Sequence, residues 1–291
     1  VHTIEHGIRC VKMDPVVVLT MMGAVTSRLG LGSTASTTYF EPFHVARVFQ
    51  TLDLMSNGRA AWNVVTSLND GEAANMGHAE MMAHDTRYDR ADEFVEVVLR
   101  HWDAWEDDAL IVDKATGRFG DGHKVHRLDF RGQFLNSRGT FTVPRSPQGR
   151  PVLIQAGASG RGKRFSARWA ELVFVAYHDI EGGRKEYESF KAAVAAEGRN
   201  PDHVKVATLC TPICAATKAE AEDKAAVIER LPLEIDALSL LSEALNFDFA
   251  SKGMDEPFSD EEMAGIQGLQ AIRDRVVEAT GKKNPTVRDF I

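Results

Sequence analysis

The alternation of helix and strand patterns between residues 29 and 66 most constrains the fold of this chain. Apolar runs at 29–36 and 60–65 have the composition of buried strands, and an amphipathic pattern at 42–55 lies between them. Further strand patterns follow at 151–157, 172–177 and 204–215, most of them separated by helical segments. Such alternation is typical of a parallel sheet with crossover helices, so we predict an α/β fold.

The second strand pattern, Ala60–Val65, changes from apolar to polar where it ends. Asn63 interrupts the apolar run, and Thr66 and Ser67 follow it directly. A buried amide without a partner costs about 1 to 3 kcal/mol, so polar groups at this position indicate a ligand. The alternative is that Asn63 is an ordinary strand residue whose amide is satisfied by a neighbour.

Hydroxyl side chains also follow the first strand pattern, at Thr34 and at Ser36, Thr37 and Thr38. In a closed parallel barrel, the carboxyl ends of all strands lie on one face, and that face carries the active site. We therefore expect Thr34 and the polar end of the second strand to contribute to one site.

The turn after the third strand pattern, 158–164, combines small residues, Ser159 and three cations at the start of a helix. Free N–H groups and the positive end of the helix dipole favour an anion there, and a phosphate group is the natural ligand. The alternative is a solvated basic helix start in which Ser159 is only the N-cap.

Histidines offer a second set of candidates. His84 stands beside Asp85 in a predicted loop that precedes a long helix, and Tyr88 follows four residues later. We expect His84 and Tyr88 to contact a ligand. The alternative is that the two residues only form a contact at the start of the helix. His44 lies in a helical pattern, where a packing role is favoured over catalysis.

Composition excludes several classes of partner. A net charge of -8 argues against nucleic acid and against anionic membranes, and no run approaches a membrane span. Three cysteines, Cys10, Cys210 and Cys214, give no disulfide framework, so we expect a reduced, cytoplasmic protein. Cys210 and Cys214 fall in an apolar run and are interpreted as small buried residues rather than metal ligands; no metal site is expected.

Several longer runs resemble one known family. The segments STASTTYFEPFHVARVFQTLD, NGRAAWNVVTS, HDTRYDRADEF, PRSPQGRPVLIQAGASGRG and AELVFV are similar to two-component, FMN-dependent monooxygenases of the bacterial-luciferase-like superfamily. The group that they resemble includes nitrilotriacetate, EDTA, dibenzothiophene sulfone and long-chain alkane monooxygenases. The resemblance covers roughly residues 14–215.

The resemblance implies a TIM (β/α)8 barrel that binds reduced FMN at the carboxyl ends of its strands. A separate NAD(P)H:flavin reductase would deliver the FMNH2, and O2 would add to it to give a C4a-peroxyflavin that oxygenates a small organic substrate. Asn63 and His84 would be the catalytic residues. The residues implied to bind the cofactor are Thr34, Asn63, Thr66, His84, Tyr88 and Ser159.

The resemblance also sets expectations for the organisation of the chain. We expect one partial barrel domain over 1–291, with a β-hairpin insertion at 106–150 and a helical insertion at 217–291. The barrel would be incomplete at both ends, because strands that the family has before residue 14 and after the helical insertion have no counterpart here. We also expect a homo-oligomer. Two alternatives stay open: an F420-dependent oxidoreductase of the same superfamily, and a truncated paralogue without catalysis.

Overall fold

The structure is a computed structural model that describes residues 2–157, 160–177, 179–266 and 268–291. The described helices are α1 His2–Glu5, α2 Pro15–Val25, α3 Pro42–Met55, α4 Asp70–Asn75, α5 His84–Trp102, α6 Gly160–Trp169, α7 Ile180–Ala196, α8 Lys218–Glu229, α9 Glu234–Leu245, α10 Asp260–Gly265, α11 Gln270–Thr280 and α12 Val287–Phe290. The described strands are β1 Leu31–Ser36, β2 Ala60–Val65, β3 Leu110–Asp113, β4 Arg118–Gly120, β5 Phe130–Arg131, β6 Asn136–Ser137, β7 Val152–Gln155, β8 Leu172–Val175 and β9 Lys205–Thr208.

The chain divides into two compact units. One unit comprises the described residues up to Lys12 together with Leu68–Met81 and Cys210–Ile291, and the other comprises Met13–Ser67 and Met82–Leu209. All nine described strands belong to the second unit. The assignment of the whole chain to a single partial barrel domain stays a prediction.

The second unit is built on a parallel sheet with the strand order β1-β2-β7-β8-β9 among the described residues. Each strand is parallel to its neighbours, which confirms the predicted α/β class. Within the predicted insertion, β3 pairs with β4 and β5 with β6 in two antiparallel ribbons, so the expected hairpin structure is also confirmed.

Local sequence signals set the helix limits. The carboxylate of Asp14 accepts hydrogen bonds from the first free N–H groups of α2, at 2.9 and 3.1 Å, and Pro15 occupies the first helical position. After α3, Asn57 and Gly58 adopt positive φ angles of 61° and 77°, which end the helix and turn the chain into β2. The bounds of α3 are those of the helical pattern predicted at 42–55.

Arg59 ties the end of α2 to the start of β2. Its guanidinium donates to the carbonyl oxygens of Ser56, Leu29, Gly23 and Thr26 at 2.7, 2.6, 3.1 and 2.9 Å. The last carbonyls of a helix have no partner within the helix, so this side chain satisfies groups that would otherwise need water. The carboxyl end of α2 is thereby fixed beside β1.

The core of the second unit surrounds Trp62, which is fully buried on the helix side of β2. Its indole N–H donates to the Ala35 carbonyl at 3.0 Å. The rings of Phe49 and Phe94 lie 5.9 Å from it and that of Trp102 lies 6.2 Å away. Packing of α3 and α5 on this face confirms that Trp62 and Phe94 are core residues.

A buried carboxylate joins the amino end of β2 to the end of the insertion. Asp53 accepts hydrogen bonds from the Ala60 N–H at 2.8 Å and from the side chains of Ser146 and Gln148. Gln148 also donates to the Ala60 carbonyl at 3.0 Å. These contacts hold the turn that leads into β7.

Replacing Asp53 by alanine is expected to lower the free energy of unfolding by about 2 to 4 kcal/mol, because several buried donors lose their acceptor. Denaturant unfolding monitored by circular dichroism measures the change. Glu188→Ala, at an exposed position on α7, is the control and should change stability by less than about 0.5 kcal/mol. Equal effects of the two changes would contradict this account.

His101 is a fully buried histidine at the end of α5. Its Nε2 is 2.8 Å from the Ser137 hydroxyl, and its ring packs against Phe43 and Phe141 at 5.2 and 5.3 Å. Burial lowers the pKa of His101 to about 4 because a charged imidazolium would lose its hydration. The folded state therefore holds this ring neutral.

Since the folded pKa lies below the unfolded value, stability is complete above about pH 6.5 and falls as the pH drops towards 4. At about 1.4 kcal/mol for each pKa unit, the loss attributable to this ring reaches about 3 kcal/mol. His101→Gln should flatten the stability profile between pH 4.5 and 6.5 relative to wild type. Parallel profiles for the two proteins would show that His101 titrates normally.

The first unit is helical. Its buried core includes Phe249, Phe258 and Phe290, whose rings pack edge to face at 5.1 to 5.5 Å. The Ser259 side chain caps α10 and the Thr286 side chain caps α12. No helix among the described residues combines the length and apolar character needed to cross a bilayer.

The placement of the cysteines corrects the sequence interpretation. The strand predicted at 204–215 ends at Thr208, and Cys10, Cys210 and Cys214 are all exposed, not buried. Apolar composition alone does not show whether a strand continues or the chain leaves the sheet, and at this point it leaves.

Candidate functional site at the carboxyl ends of the strands

The parallel register places Thr34, Asn63 and Ile154 side by side on one face of the sheet, opposite the Trp62 face. Thr34 pairs with Asn63 across β1 and β2, and Asn63 pairs with Ile154 across β2 and β7. The Asn63 amide donates to the Thr34 hydroxyl at 2.9 Å. Two candidate cofactor residues are therefore joined by a hydrogen bond, and Thr34 is exposed.

The other end of the Asn63 amide lacks a partner. Its Oδ1 is buried and makes no hydrogen bond to any described residue. A buried carbonyl oxygen in this state is costly unless a ligand satisfies it, and it suits a ligand that donates an N–H or O–H. A flavin ring carries such N–H groups, so this position fits the expected cofactor.

The hydroxyls that follow Thr34 serve the fold instead. Ser36 and Ser67 share a buried hydrogen bond of 2.7 Å, and Thr38 donates to the Thr66 carbonyl at 2.7 Å. Ser67 has a φ of 58°, unusual for a residue other than glycine, where the chain leaves β2. These hydrogen bonds hold the carboxyl end of β1 beside that of β2, and so fix the backbone next to Thr34 and Asn63.

His84 is the first residue of α5, so the prediction that it lies in a loop before the helix is wrong. Its Nδ1 is 2.7 Å from the Asp85 carboxylate, and its ring is 5.1 Å from that of Tyr88. The side chain stays partly exposed. A histidine held by a carboxylate on one nitrogen keeps its other nitrogen for proton exchange.

Tyr88 lies one turn further along α5 and is only 8% exposed. Burial raises the pKa of its hydroxyl, and hydrogen bonds with the side chains of Thr66 and Gln155 oppose that rise, as do the nearby charges of Arg87 and Arg161. Thr66 follows β2 and Gln155 ends β7. The two residues lie at the carboxyl ends of neighbouring strands, so the Tyr88 hydroxyl is close to those ends.

Gln155 is the residue that the sequence interpretation missed. It is 5% exposed and ends the apolar run of β7, as Thr66 follows that of β2. The same argument that selected Thr66, a polar side chain where a buried strand ends, would have selected Gln155.

The predicted phosphate residue, Ser159, lies outside the described residues. The cations that follow it have partners: Arg161 pairs with Asp92 and with Asp89 at 3.1 Å, Lys163 donates to Ser189 at 2.6 Å and Arg164 pairs with Glu197 at 3.3 Å. The two arginines are paired with carboxylates, so an anion at the start of α6 would be attracted by the charge of Lys163, the main-chain N–H groups and the helix dipole.

No group of three or more His, Cys, Asp or Glu side chains that could hold a metal ion occurs within the described residues. The polar groups gathered on the strand ends are amide, hydroxyl, imidazole and phenol. They can hydrogen-bond and exchange protons, but they supply no electrons.

The sequence profile of luciferase-like monooxygenases matches residues 1–280. This chain belongs to the luciferase-like monooxygenase family. It is 47% identical over 254 residues to dibenzothiophene-sulfone monooxygenase of Rhodococcus erythropolis, covering 87% of this chain and 56% of that protein. It is 38% identical to nitrilotriacetate monooxygenase component A of Aminobacter aminovorans, covering 96% and 61% of the two chains.

Solved structures give the same relationship. A riboflavin lyase, crystallised with modified FMN and riboflavin, superposes with a TM-score of 0.85 at 34% identity, covering 94% of this chain and 61% of that one. The likeness confirms the predicted α/β fold of luciferase-like TIM-barrel type. The chain spans little more than half the length of these luciferase-like relatives.

Asn63→Leu is expected to leave the free energy of unfolding within about 1 kcal/mol of wild type. Loss of the bond to Thr34 is offset by removal of a buried, unpaired carbonyl oxygen. Ser36→Ala, which breaks a buried bond used by the fold, should cost about 1 to 2 kcal/mol. Chemical denaturation measures the free energy of unfolding of both variants. A decrease of more than about 2 kcal/mol for Asn63→Leu would show that Asn63 stabilises the fold and is not kept for a ligand.

Proposed function

We propose that the protein containing this chain is a flavin-dependent monooxygenase that uses reduced FMN and O2 to oxygenate a small organic substrate. The observation that carries the proposal is the unpaired Asn63 acceptor, joined to Thr34 on the open face of the sheet in a luciferase-like fold. Membership of the family supports the class of reaction, and the Asn63–Thr34 pair supports a cofactor position at the ends of β1 and β2.

Each candidate residue has a distinct task in this proposal. Thr34, Asn63 and Thr66 hydrogen-bond the flavin ring system from the strand ends. Tyr88, together with Ser159 at the start of α6, binds the phosphate tail. His84, oriented by Asp85 through its Nδ1, exchanges a proton with the reacting groups at the other nitrogen.

Bound reduced FMN supplies the electrons that activate O2, a step that amino-acid side chains cannot perform. The chain's own contribution is to bind, orient and exclude water. Trp62 and its aromatic neighbours make the opposite face of β2 rigid, and this rigidity fixes the Asn63 amide. A fixed acceptor costs less ordering entropy on binding than a mobile one.

The name of one relative supports a proposal for a protein partner. One relative is named component A of nitrilotriacetate monooxygenase, which implies a second component. We propose that an NAD(P)H:flavin reductase supplies reduced FMN to this protein.

The relatives are named for an aromatic sulfone and an aminopolycarboxylate, so the family fold does not determine the substrate. Homo-oligomer formation and a cytoplasmic location stay predictions.

Anaerobic titration of the full-length protein with reduced FMN tests the proposal directly. We expect a dissociation constant in the micromolar range or tighter, about -8 kcal/mol of binding free energy. With a flavin reductase and NADH, oxygen uptake should rise when the correct substrate is added. Absence of FMN binding, or preferential binding of F420, would overturn the proposal.

Ser159→Ala should weaken FMN binding by about 1 to 2 kcal/mol, the contribution of one hydrogen bond to a charged group. This corresponds to an increase of about five- to thirtyfold in the dissociation constant. Ser239→Ala on α9, whose hydroxyl bonds the Ile235 carbonyl within its own helix, is the matched control. An unchanged dissociation constant for Ser159→Ala would show that Ser159 does not bind the phosphate of FMN.

A further inference from the structure

One face of the β5–β6 ribbon rests on α5. Phe130 and Ser137 pair across the ribbon, and residues that pair in an antiparallel ladder point to the same side. The Ser137 hydroxyl is 2.8 Å from Nε2 of the buried His101, and the Arg100 guanidinium lies over the Phe130 ring at 5.3 Å. These contacts fix the orientation of the ribbon on the helix.

The turn between β5 and β6 is held by a carboxylate from the same helix. Glu93 accepts hydrogen bonds from the main-chain N–H groups of residues 133–135, those of Gln133 and Phe134 at 2.8 and 3.0 Å. A Cβ atom on Gly132 would overlap this carboxylate, so the close approach requires glycine. The ribbon is held at its turn as well as along one face, and its other face is presented in a fixed position.

That other face carries arginines. Arg131 pairs with Asn136, and side chains alternate along a strand, so both point away from α5, as does Arg138, one residue beyond Ser137. Arg131 and Arg138 are exposed, and together with Arg127 they line a depression of about 820 Å³. We call these three residues and the depression the arginine face.

Two of the three arginines have no counter-charge. Arg127 pairs with Asp129, whereas neither Arg131 nor Arg138 makes an ion pair or a side-chain hydrogen bond to any residue that the structure describes. Their positions are diagonal neighbours across the ribbon, about 7 to 8 Å apart, where like charges repel. The fold thus holds two uncompensated guanidinium groups side by side, an arrangement that an anion would stabilise.

The strength of exposed ion pairs indicates the kind of anion. A guanidinium group matches a carboxylate or a phosphate with two parallel hydrogen bonds. In water, one such pair strengthens binding by no more than about fivefold, so two of them hold a free small anion only weakly. An anionic group on a larger surface gains further contacts around the pair. Nucleic acid is disfavoured by the net charge of -8, which leaves an acidic protein surface.

We propose that the arginine face is a docking surface for an acidic segment of a different protein, with carboxylates of that segment bound by Arg131 and Arg138. Charge complementarity selects this partner, and arginine is enriched at protein interfaces. A symmetric contact between two copies of this chain, centred here, would place arginines against arginines, so a second copy does not fit.

The docking surface is separate from the candidate cofactor site. α5 contacts the ribbon through Glu93 and packs against Trp62 of β2 through Phe94, whose ring is 5.9 Å from the indole. The helix therefore lies between the arginine face and the sheet that carries Asn63. The proposal does not depend on FMN binding.

Binding of a fluorescein-labelled hexaglutamate peptide to the full-length protein tests the proposal. Arg131→Gln combined with Arg138→Gln should weaken binding by about five- to twentyfold, because two ion pairs are lost. The affinity of wild type should fall as salt is added, since exposed ion pairs are screened. A wild-type affinity no higher than that of the double variant would overturn the proposal.

Lys114→Gln combined with Arg118→Gln is the matched control. Both cations are exposed on the β3–β4 ribbon, and their removal changes the net charge by the same amount. This variant should bind the peptide as wild type does. Equal weakening in the two double variants would show a response to overall charge and contradict a docking surface at the arginine face.

Three further measurements separate the possible occupants. Citrate should displace less peptide than unlabelled hexaglutamate at the same carboxylate concentration, and a short DNA duplex should bind more weakly than the peptide. Sedimentation velocity should give the same mass for wild type and the Arg131/Arg138 double variant. Equal displacement by citrate, tighter binding of DNA, or a dimer that is lost in the variant would each overturn the proposal.

Thermal unfolding tests whether the two arginines instead serve the fold. Removing two adjacent like charges should leave the Tm of the Arg131/Arg138 double variant unchanged or raise it slightly. A clear fall in Tm would show that these side chains stabilise the ribbon, and it would contradict their assignment to a partner.

Discussion

The register of the parallel sheet is the constraint on which the rest of the structure depends. Once Thr34 is paired with Asn63, every second residue of β2 faces the helices and the residues between face the other side. Trp62 is thereby buried among Phe49, Phe94 and Trp102, and its neighbour Asn63 turns to the opposite face. A shift of one residue would turn the Asn63 amide towards the helices and the Trp62 indole away from them, so the same alignment fixes the core and the candidate site.

Polar groups near the strand ends divide into two classes with different purposes. Ser36, Ser67 and Thr38 are paired with each other or with main-chain carbonyls, and Arg161 is paired with carboxylates on α5. Their hydrogen-bonding capacity is used within the fold. Asn63, on the face opposite Trp62, keeps a buried acceptor without a partner among the described residues, and this supports the proposal that a ligand binds there.

Much of this architecture could be predicted from the sequence because the signals are local. Pro42 at the start of α3 and Asn57-Gly58 after it mark the helix ends, and a short apolar run marks β2. The missed features depend on contacts between distant segments. Nothing local shows that Arg161 is paired with Asp92, that Cys210 lies beyond a strand end, or that Gln155 accepts a hydrogen bond from Ser166. Such pairings arise only when the register brings α5, α6 and β7 together.

The most direct test of the central claim is a crystal structure of the full-length protein with FMN. We predict that the flavin ring lies on the face of the sheet that carries Thr34 and Asn63, with an N–H group of the ring within hydrogen-bonding distance of Asn63 Oδ1 and the phosphate at the start of α6. FMN bound elsewhere, for example in the surface depression beside Arg131 and Arg138 on the β5–β6 ribbon, would contradict the account.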